Sequence, residues 1–415
     1  MIDTIVFEKV KQKIEELRPA MIGFQKSITK IPALSPSSGG EGEWDKAMFI
    51  KQYLEKHGLK DIKQIDVPDA KAKMGKRPNL IIKIPGKNSK RSIWIMAHTD
   101  VVPEGDRKNW DTEPFEVVEK DGKLFGRGTE DNQQSLTSSL FTALAFNDLA
   151  IEPEYDLNII LVADEETGSE FGLTYLLKHH KEMFKKDDII IVPDAGVPDS
   201  SQIEVAEKGI VWIRFVTKGK QCHASLPDMG INAFKAASNL VVELGKLYEI
   251  FNARSVVFDP PTSTFEPTKK EANVPNVNTI PGEDVFYLDC RILPQYKVDE
   301  VLKKVREICD SVEKKFRVKI DFDMTQREDA APATSEDAPV VKKLMTGIKK
   351  IYGIEAKPMG IGGGTVAAVF RRAGLPAAVW STIDDVCHQP NEYCVIDYMV
   401  NDAKVFAHVC LQQEE

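Results

Sequence analysis

The chain has 415 residues, 42% of them apolar and 29% charged, and carries a formal net charge of −9. That length exceeds the roughly 150 residues of an average domain and calls for more than one core. The acidic balance, with no run of five or six Lys or Arg, excludes a surface that neutralises a line of phosphates. No stretch approaches the ~18 apolar residues of a membrane span. The N-terminal MIDTIVFEKVKQKIEEL lacks the basic-then-apolar order of a secretory signal. Six cysteines (Cys222, Cys290, Cys309, Cys387, Cys394 and Cys410) are scattered without a CxxC pair, as expected of free thiols in a reducing compartment. These features point to a cytoplasmic protein that acts on small molecules, with no nucleic-acid or membrane partner.

In chain order, Val6, Val10, Ile14 and Leu17 predict an amphipathic helix within 5–30, and 44–57 repeats the pattern before Gly58 stops it. NLIIKI (79–84) and SIWIMA (92–97) read as strands, and the stripe Leu136, Leu140, Leu144 predicts a helix over 134–149. LNIILVA (157–163) has the continuous apolar run of a strand buried on both faces. A helix over 170–180 leads to the strand DIIIV (188–192). This alternation predicts a mostly parallel sheet in an α/β domain. From Gly209 the pattern changes. GIVWIRFVT (209–217) reads as a strand, 231–250 as a helix and NVNTIPGEDVFYLDCRILP (276–294) as a hairpin. A helix over 298–314 and the strand VKIDFDM (318–324) complete a β-α-β-β-α-β order, the ferredoxin-like arrangement. TQREDAAPATSED (325–337) reads as a return linker. A helix over 338–352, the glycine loop GIGGGT (360–365), the strand LPAAVWS (375–381) and a helix over 396–411 then resume the first domain. The expected organisation is a catalytic domain from 1–208 and 326–415 with an inserted α+β domain over 209–325.

Five separated polar segments follow or flank apolar runs: AHTD (97–100), GRGTED (126–131), DEETGS (164–169), VPDAG (192–196) and CHQPNE (387–392). Three of them end strands of the expected sheet, at the carboxyl edge where open α/β sheets bind ligands. His98 and Asp100 are two apart, so on an extended strand end they share a face and the carboxylate can orient the imidazole. Glu165 and Glu166 are adjacent and can serve one site only if the chain turns there. Asp131 reads equally well as the N-cap of the helix that follows it. Asp194 also reads as a loop residue before Gly196, and His388 as a polar residue of a Pro-containing loop. Together, however, the segments supply a His, a carboxylate and a shared Asp for each of two cations, with one Glu left to shuttle a proton. That is the raw material of a two-metal hydrolase.

The ordered set HTD, GRGTED, DEETGS, VPDAG and HQPNE resembles the dinuclear-zinc peptidase and deacylase family that contains acetylornithine deacetylase, succinyl-diaminopimelate desuccinylase, carboxypeptidase G and the cytosolic dipeptidases. The likeness runs from about Ile93 to Glu392. It implies two divalent ions per chain, zinc with cobalt or manganese as alternatives. His98 and Asp194 would hold one ion, Glu166 and His388 the other, and Asp131 would bridge them. Asp100 would orient His98, and Glu165 would be the general base beside a metal-bridging hydroxide. The inserted domain would be a lid and dimerisation module. Within it, His223 matches the histidine that in relatives reaches the neighbouring subunit's site to stabilise the oxyanion, and Asn278 and Arg291 match substrate-contacting positions. GIGGGT lacks the GK[ST] of a phosphate loop, which argues against nucleotide binding. It suggests instead a backbone N–H nest, with Gly363, Gly364 and Thr365, for a substrate carboxylate. His57, His179, His180 and His408 match no motif and read as structural or exposed.

Two positions depart from the family pattern. Asn132-Gln133-Gln134 stands where many relatives have a Lys shortly after the bridging Asp. Asp194 stands where deacetylases and desuccinylases usually have Glu and peptidases have Asp. The expected activity is cleavage of the amide bond of an N-acyl amino acid, with a metallo-dipeptidase or carboxypeptidase as the alternative. A metal-free binding protein on the same scaffold is a third reading, against which the intact ligand set speaks.

Overall fold

The computed structural model describes residues 2–413. The chain divides into two compact units, one made of Met1–Val205, Thr334–Met359 and Thr365–Glu415, the other of Ala206–Ala333 and Gly360–Gly364. Among the described residues no helix is long and apolar enough to cross a membrane.

The first unit is built on an eight-stranded sheet. From edge to edge its strands are Ile62–Pro68, Lys76–Ile84, Tyr155–Val162, Asn88–His98, Ile189–Gly196, Ala377–Ser381, Gln202–Glu207 and Lys357–Ile361. The four from Tyr155–Val162 to Ala377–Ser381 run parallel. The strands that pair outward from these four are antiparallel, so the sheet is mixed at its margins and parallel at its centre. The continuous apolar runs are explained by burial on both faces: every residue of Tyr155–Val162 is buried. On one side Trp94, Phe184 and Phe370 pack in sequence, with ring centroids 4.5 and 5.5 Å apart. On the other lie the helices Gln133–Leu149 and Ile396–Leu411. The expected one-sided stripe of the first of these is instead a helix buried all round. Its hydroxyls are satisfied by the neighbouring backbone, Ser138 Oγ donating to Met399 O at 2.7 Å and Thr142 Oγ1 to Ala403 O at 3.0 Å.

The single helix expected within 5–30 is two, Thr4–Glu16 and Arg18–Thr29. Pro19 is the reason: without an N–H it is tolerated in the first turn of a new helix and not inside a continuous one.

The second unit has a four-stranded antiparallel sheet in the order Thr264–Lys270, Glu283–Ile292, Gly209–Lys218, Lys319–Glu328. The helices Ala233–Leu244 and Val298–Phe316 cover one face, and Phe215 stacks on Phe286 in the core between them. The element order is β-α-β-β-α-β and the strand order is ferredoxin-like. The pairing differs from the expected hairpin over 276–294. Thr279–Ile280 pairs with Cys222–His223, and Glu283–Ile292 pairs with Thr264–Lys270, an edge strand whose Pro267 and charges hid it from a pattern reading.

The boundaries also differ from those expected at 208/209 and 325/326. The last strand stays paired as far as Glu328 opposite Ile210, so the first unit resumes only at Thr334. Gly360–Gly364 belongs with the second unit, through a bridge from Phe258 to Gly360 and a hydrogen bond from Arg291 Nη1 to Gly362 O at 2.9 Å. A Cβ on Gly360 would lie 2.3 Å from the Phe258 ring, which accounts for glycine there.

Replacing Phe215 by Ala removes a fully buried ring from this core and is expected to cost about 3–5 kcal/mol. Hydrogen exchange along Gly209–Lys218 should accelerate while exchange along Tyr155–Val162 changes little; unchanged protection in both would refute the assignment of that ring to the core.

Candidate metal centre

His98 is the last residue of its strand, Asp194 lies near the end of the next, and Glu165 and Glu166 follow the strand on the other side. Because these three strands are parallel neighbours, their carboxyl ends lie side by side. The turn needed for the two glutamates is a 3-10 turn, Glu165–Thr167, between Asp164 at φ 64° and Gly168 at φ 116°. Asp131 lies in the loop before helix Gln133–Leu149; the N-cap position is Asn132, so Asp131 does not cap. His388, at φ 61°, comes from the loop after Ala377–Ser381.

These segments make two groups of three that could hold a metal ion, His98–Asp131–Asp194 and Asp131–Glu166–His388, with the ligand atoms of each within 4.8 Å of one another. His98 Nε2 is 3.0 Å from Asp131 Oδ1 and 3.4 Å from Asp194 Oδ1. His388 Nε2 is 3.1 Å from both Asp131 Oδ2 and Glu166 Oε2. Glu165 Oε2 stands 4.0 Å from His98 Nε2.

The donor set fits a pair of cations. His98 Nδ1 donates to the carbonyl of Asp100 at 3.0 Å, which can only accept, so in the neutral ring the Nε2 lone pair faces two carboxylates. Glu166 Oε1 is buried without a hydrogen-bond partner. Acceptors facing acceptors in a buried place need a proton or a cation between them.

The electrostatics agree. Burial disfavours charge on His98, but hydrogen bonds to Asp100, Asp131 and Asp194 outweigh it and hold the imidazole well above its ordinary pKa. His388 is held up to about 10 by its hydrogen bonds to Asp131 and Glu166. Burial would raise Asp131, yet His388 and His98 keep it well below the usual carboxylate range. Glu165 is pushed far up, first by burial and then by the neighbouring charge of Asp194; burial likewise raises Glu166. The two imidazoles, as cations, do part of what bound metal would do.

Several supports escaped the sequence reading. Asp100 holds the imidazole through its backbone carbonyl rather than, as expected, through its carboxylate, whose two oxygens accept the backbone N–H of Glu165 and Glu166 at 3.1 and 3.0 Å and so fix the turn. Glu392 accepts from Arg127 Nη1 at 2.5 Å and from the N–H groups of Gly128, Glu130 and Asp131 at 3.0–3.1 Å. It lies in the CHQPNE motif, which was the signal available for it. Glu130 accepts the N–H of Asp384 and Val386, fastening the loop that presents His388. Asn132 Nδ2 donates to Asp194 Oδ1 at 2.7 Å, which places a neutral donor on a candidate ligand. Glu43, Arg77 and Asp164 form a buried network beneath the turn.

The second unit holds most of the other expected site residues. His223 Nδ1 lies 2.7 Å from Ser225 Oγ, and the pairing of Cys222–His223 with Thr279–Ile280, together with Ala224 N donating to Asn278 O, brings His223 and Asn278 into one exposed patch. Arg291 binds Asp289 through Nε and Nη2 at 2.8 and 3.0 Å. None of Gly360, Gly362, Gly363 or Gly364 has a left-handed φ, so the alternating-handed form of an N–H nest is not made by these glycines. Thr365 begins the next stretch of the first unit.

The sequence model of Peptidase family M20/M25/M40 matches residues 94–412. An uncharacterized metallohydrolase of Methanocaldococcus jannaschii is 42% identical over 406 residues, covering 94% of this chain and 98% of its own length. The succinyl-diaminopimelate desuccinylase of a Sulfurovum species is 27% identical over 317 residues, 76% of this chain and 82% of its own. Human carnosine dipeptidase 1 has the same fold, with a TM-score of 0.71 at 18% identity over 99% of both chains.

Glu392→Gln would leave Arg127 and three backbone N–H groups facing a neutral amide. Divalent-metal affinity, measured by chelator competition, is expected to fall about 10- to 100-fold; an unchanged affinity would show that loop 126–131 holds its shape without that charge.

Proposed function

Because this chain belongs to peptidase family M20/M25/M40, a family of amide-bond hydrolases, we propose that it cleaves the amide of a small N-acyl amino acid at a two-metal centre. The observation that carries this reading is the pair of three-residue groups sharing Asp131. His98 and Asp194 would hold one ion, Glu166 and His388 the other, and Asp131 both. When bound, the ions supply Lewis acidity toward the carbonyl and acidify water near neutral pH, with zinc, cobalt and manganese as the candidates.

The protein's own groups do the rest. Asp100 keeps the His98 Nδ1–H turned away from the ligand cluster. Glu165 is partly buried and stands beside His98 without belonging to either ligand group. It is therefore the group to take the proton of the attacking water and pass it to the leaving amine. Arg291 keeps one N–H on each terminal nitrogen beyond those given to Asp289 and Gly362, an end-on fork that fits a substrate carboxylate. Asn278 and the backbone of Gly363, Gly364 and Thr365 are assigned to the same recognition. His223 is assigned to the oxyanion, contributed across a homodimer.

The desuccinylase relative supports the deacylase reading. Asp194, at a position where peptidases of this family carry Asp, favours cleavage of unblocked dipeptides as the second reading. Assay of N-acetyl and N-succinyl amino acids beside dipeptides, with metal analysis of the same preparation, decides between them. Turnover of the acylated substrates with about two ions per chain is expected. Activity confined to dipeptides selects the second reading, and protein that binds no metal overturns both.

Glu165→Gln is expected to retain metal and lose about 10²–10⁴-fold in rate. His223→Ala should lose about 10²–10³-fold in kcat with metal content unchanged. Mixing the two inactive variants should restore some activity if subunits exchange the histidine; no recovery would place His223 in its own subunit's chemistry or outside it.

A further inference from the structure

Lys46 belongs to helix Trp44–Lys56, in its first turn. Its side chain is 1% exposed, and its ammonium has no hydrogen-bond partner among the described residues. A cation in the first turn meets the positive end of the helix dipole, and a buried ammonium without acceptors is costly. Neither the helix nor local hydrogen bonding explains the residue, so its compensation must come from elsewhere in the fold.

The charges that act on it are Asp100, Glu43 and Glu392, in that order of strength. All three are buried, and they come from three separate segments. Burial lowers the amine to about 8, with these three carboxylates pulling the other way. Asp100 accepts the N–H groups that shape the Glu165–Glu166 turn, and Glu392 accepts those that shape loop 126–131. The neighbouring guanidiniums are already engaged, Arg77 with Glu43 and Asp164, Arg127 with Glu392. Four buried carboxylates, Glu43, Asp100, Asp164 and Glu392, thus share two guanidiniums, and Lys46 is the third cation. Without direct bonds it works through its field, which the low-dielectric interior transmits far better than water would.

We propose that Lys46 is a positioning residue, the shared buried counter-charge of Asp100 and Glu392, and that through these two carboxylates it holds both ligand-bearing loops of the metal centre in register. The inference rests on the two-metal reading above, and it makes a prediction opposite to simple electrostatics. Removing a positive charge near a cation site should by Coulomb attraction alone tighten metal binding. Loss of a positioning group should weaken it.

The test is cobalt titration of the full-length protein, followed by visible absorption, for the native chain, Lys46→Met and Lys343→Met. Lys343 is also a buried lysine, but its ammonium donates to the carbonyls of Gln412 and Gln413. The expected result is about 10- to 100-fold weaker cobalt binding in K46M, with an altered absorption band at full occupancy, and neither change in K343M. Unchanged or tighter binding with an unaltered band in K46M overturns the proposal. A native protein that takes up no cobalt overturns the metal-centre reading instead. Should K46M fail to accumulate in folded form, K46M/D100N decides. Recovery of folded protein once the partner carboxylate is also neutralised is expected, and a double variant no better than K46M overturns the pairing.

Discussion

Five carboxylates, those of Asp100, Asp131, Glu165, Glu166 and Asp194, meet two imidazoles at one end of a parallel sheet, and the mutual repulsion of those acids is the constraint on which the arrangement turns. Like charges a few ångströms apart in a buried place cannot all remain ionised unless cations or donors share the space. The structure answers this at two levels. Close in, His98 and His388 stand between the acids. Farther out, Asp100 and Glu392 are tied to backbone N–H groups, and Glu392 also to the guanidinium of Arg127.

Much of this could be read in the residues themselves. The apolar runs that end in His98, Glu165 and Asp194 announce strands buried on both faces, and strands of that kind lie parallel, so their ends had to be neighbours. The adjacency of Glu165 and Glu166 required a turn, and Asp164, Thr167 and Gly168 form one. The parts that remained hidden depend on pairing across long stretches. Only its place in CHQPNE marks Glu392 out from an ordinary loop acid, and nothing local marks Lys46 out from the other lysines of its amphipathic helix. Thr264–Lys270 carries Pro267 and three charged residues and forms a strand because it is an edge, where one row of hydrogen bonds is dispensable. The split at Pro19 was legible in principle, since proline cannot sit inside a helix, but the unbroken apolar spacing on either side masked it.

The family supplies the reaction type, amide hydrolysis. Asn132 gives Asp194 a neutral hydrogen bond at 2.7 Å, which leaves the charge of that carboxylate in place. Asp194 is shorter than Glu by one methylene, and a ligand at the sheet edge has little slack to make up such a difference. The guanidinium of Arg291, splinted by Asp289, is held in one plane before any ligand arrives.

The hydrogen bond between Asp131 N and Glu392 spans 261 residues, and the contact between Glu166 and His388 spans 222. Ligands that close so late in the polypeptide cannot be assembled while the nascent chain is still emerging from the ribosome. A truncated product ending before residue 388 would carry half of the centre and no means of completing it. Completion of the second ligand group is thereby deferred until synthesis is nearly finished.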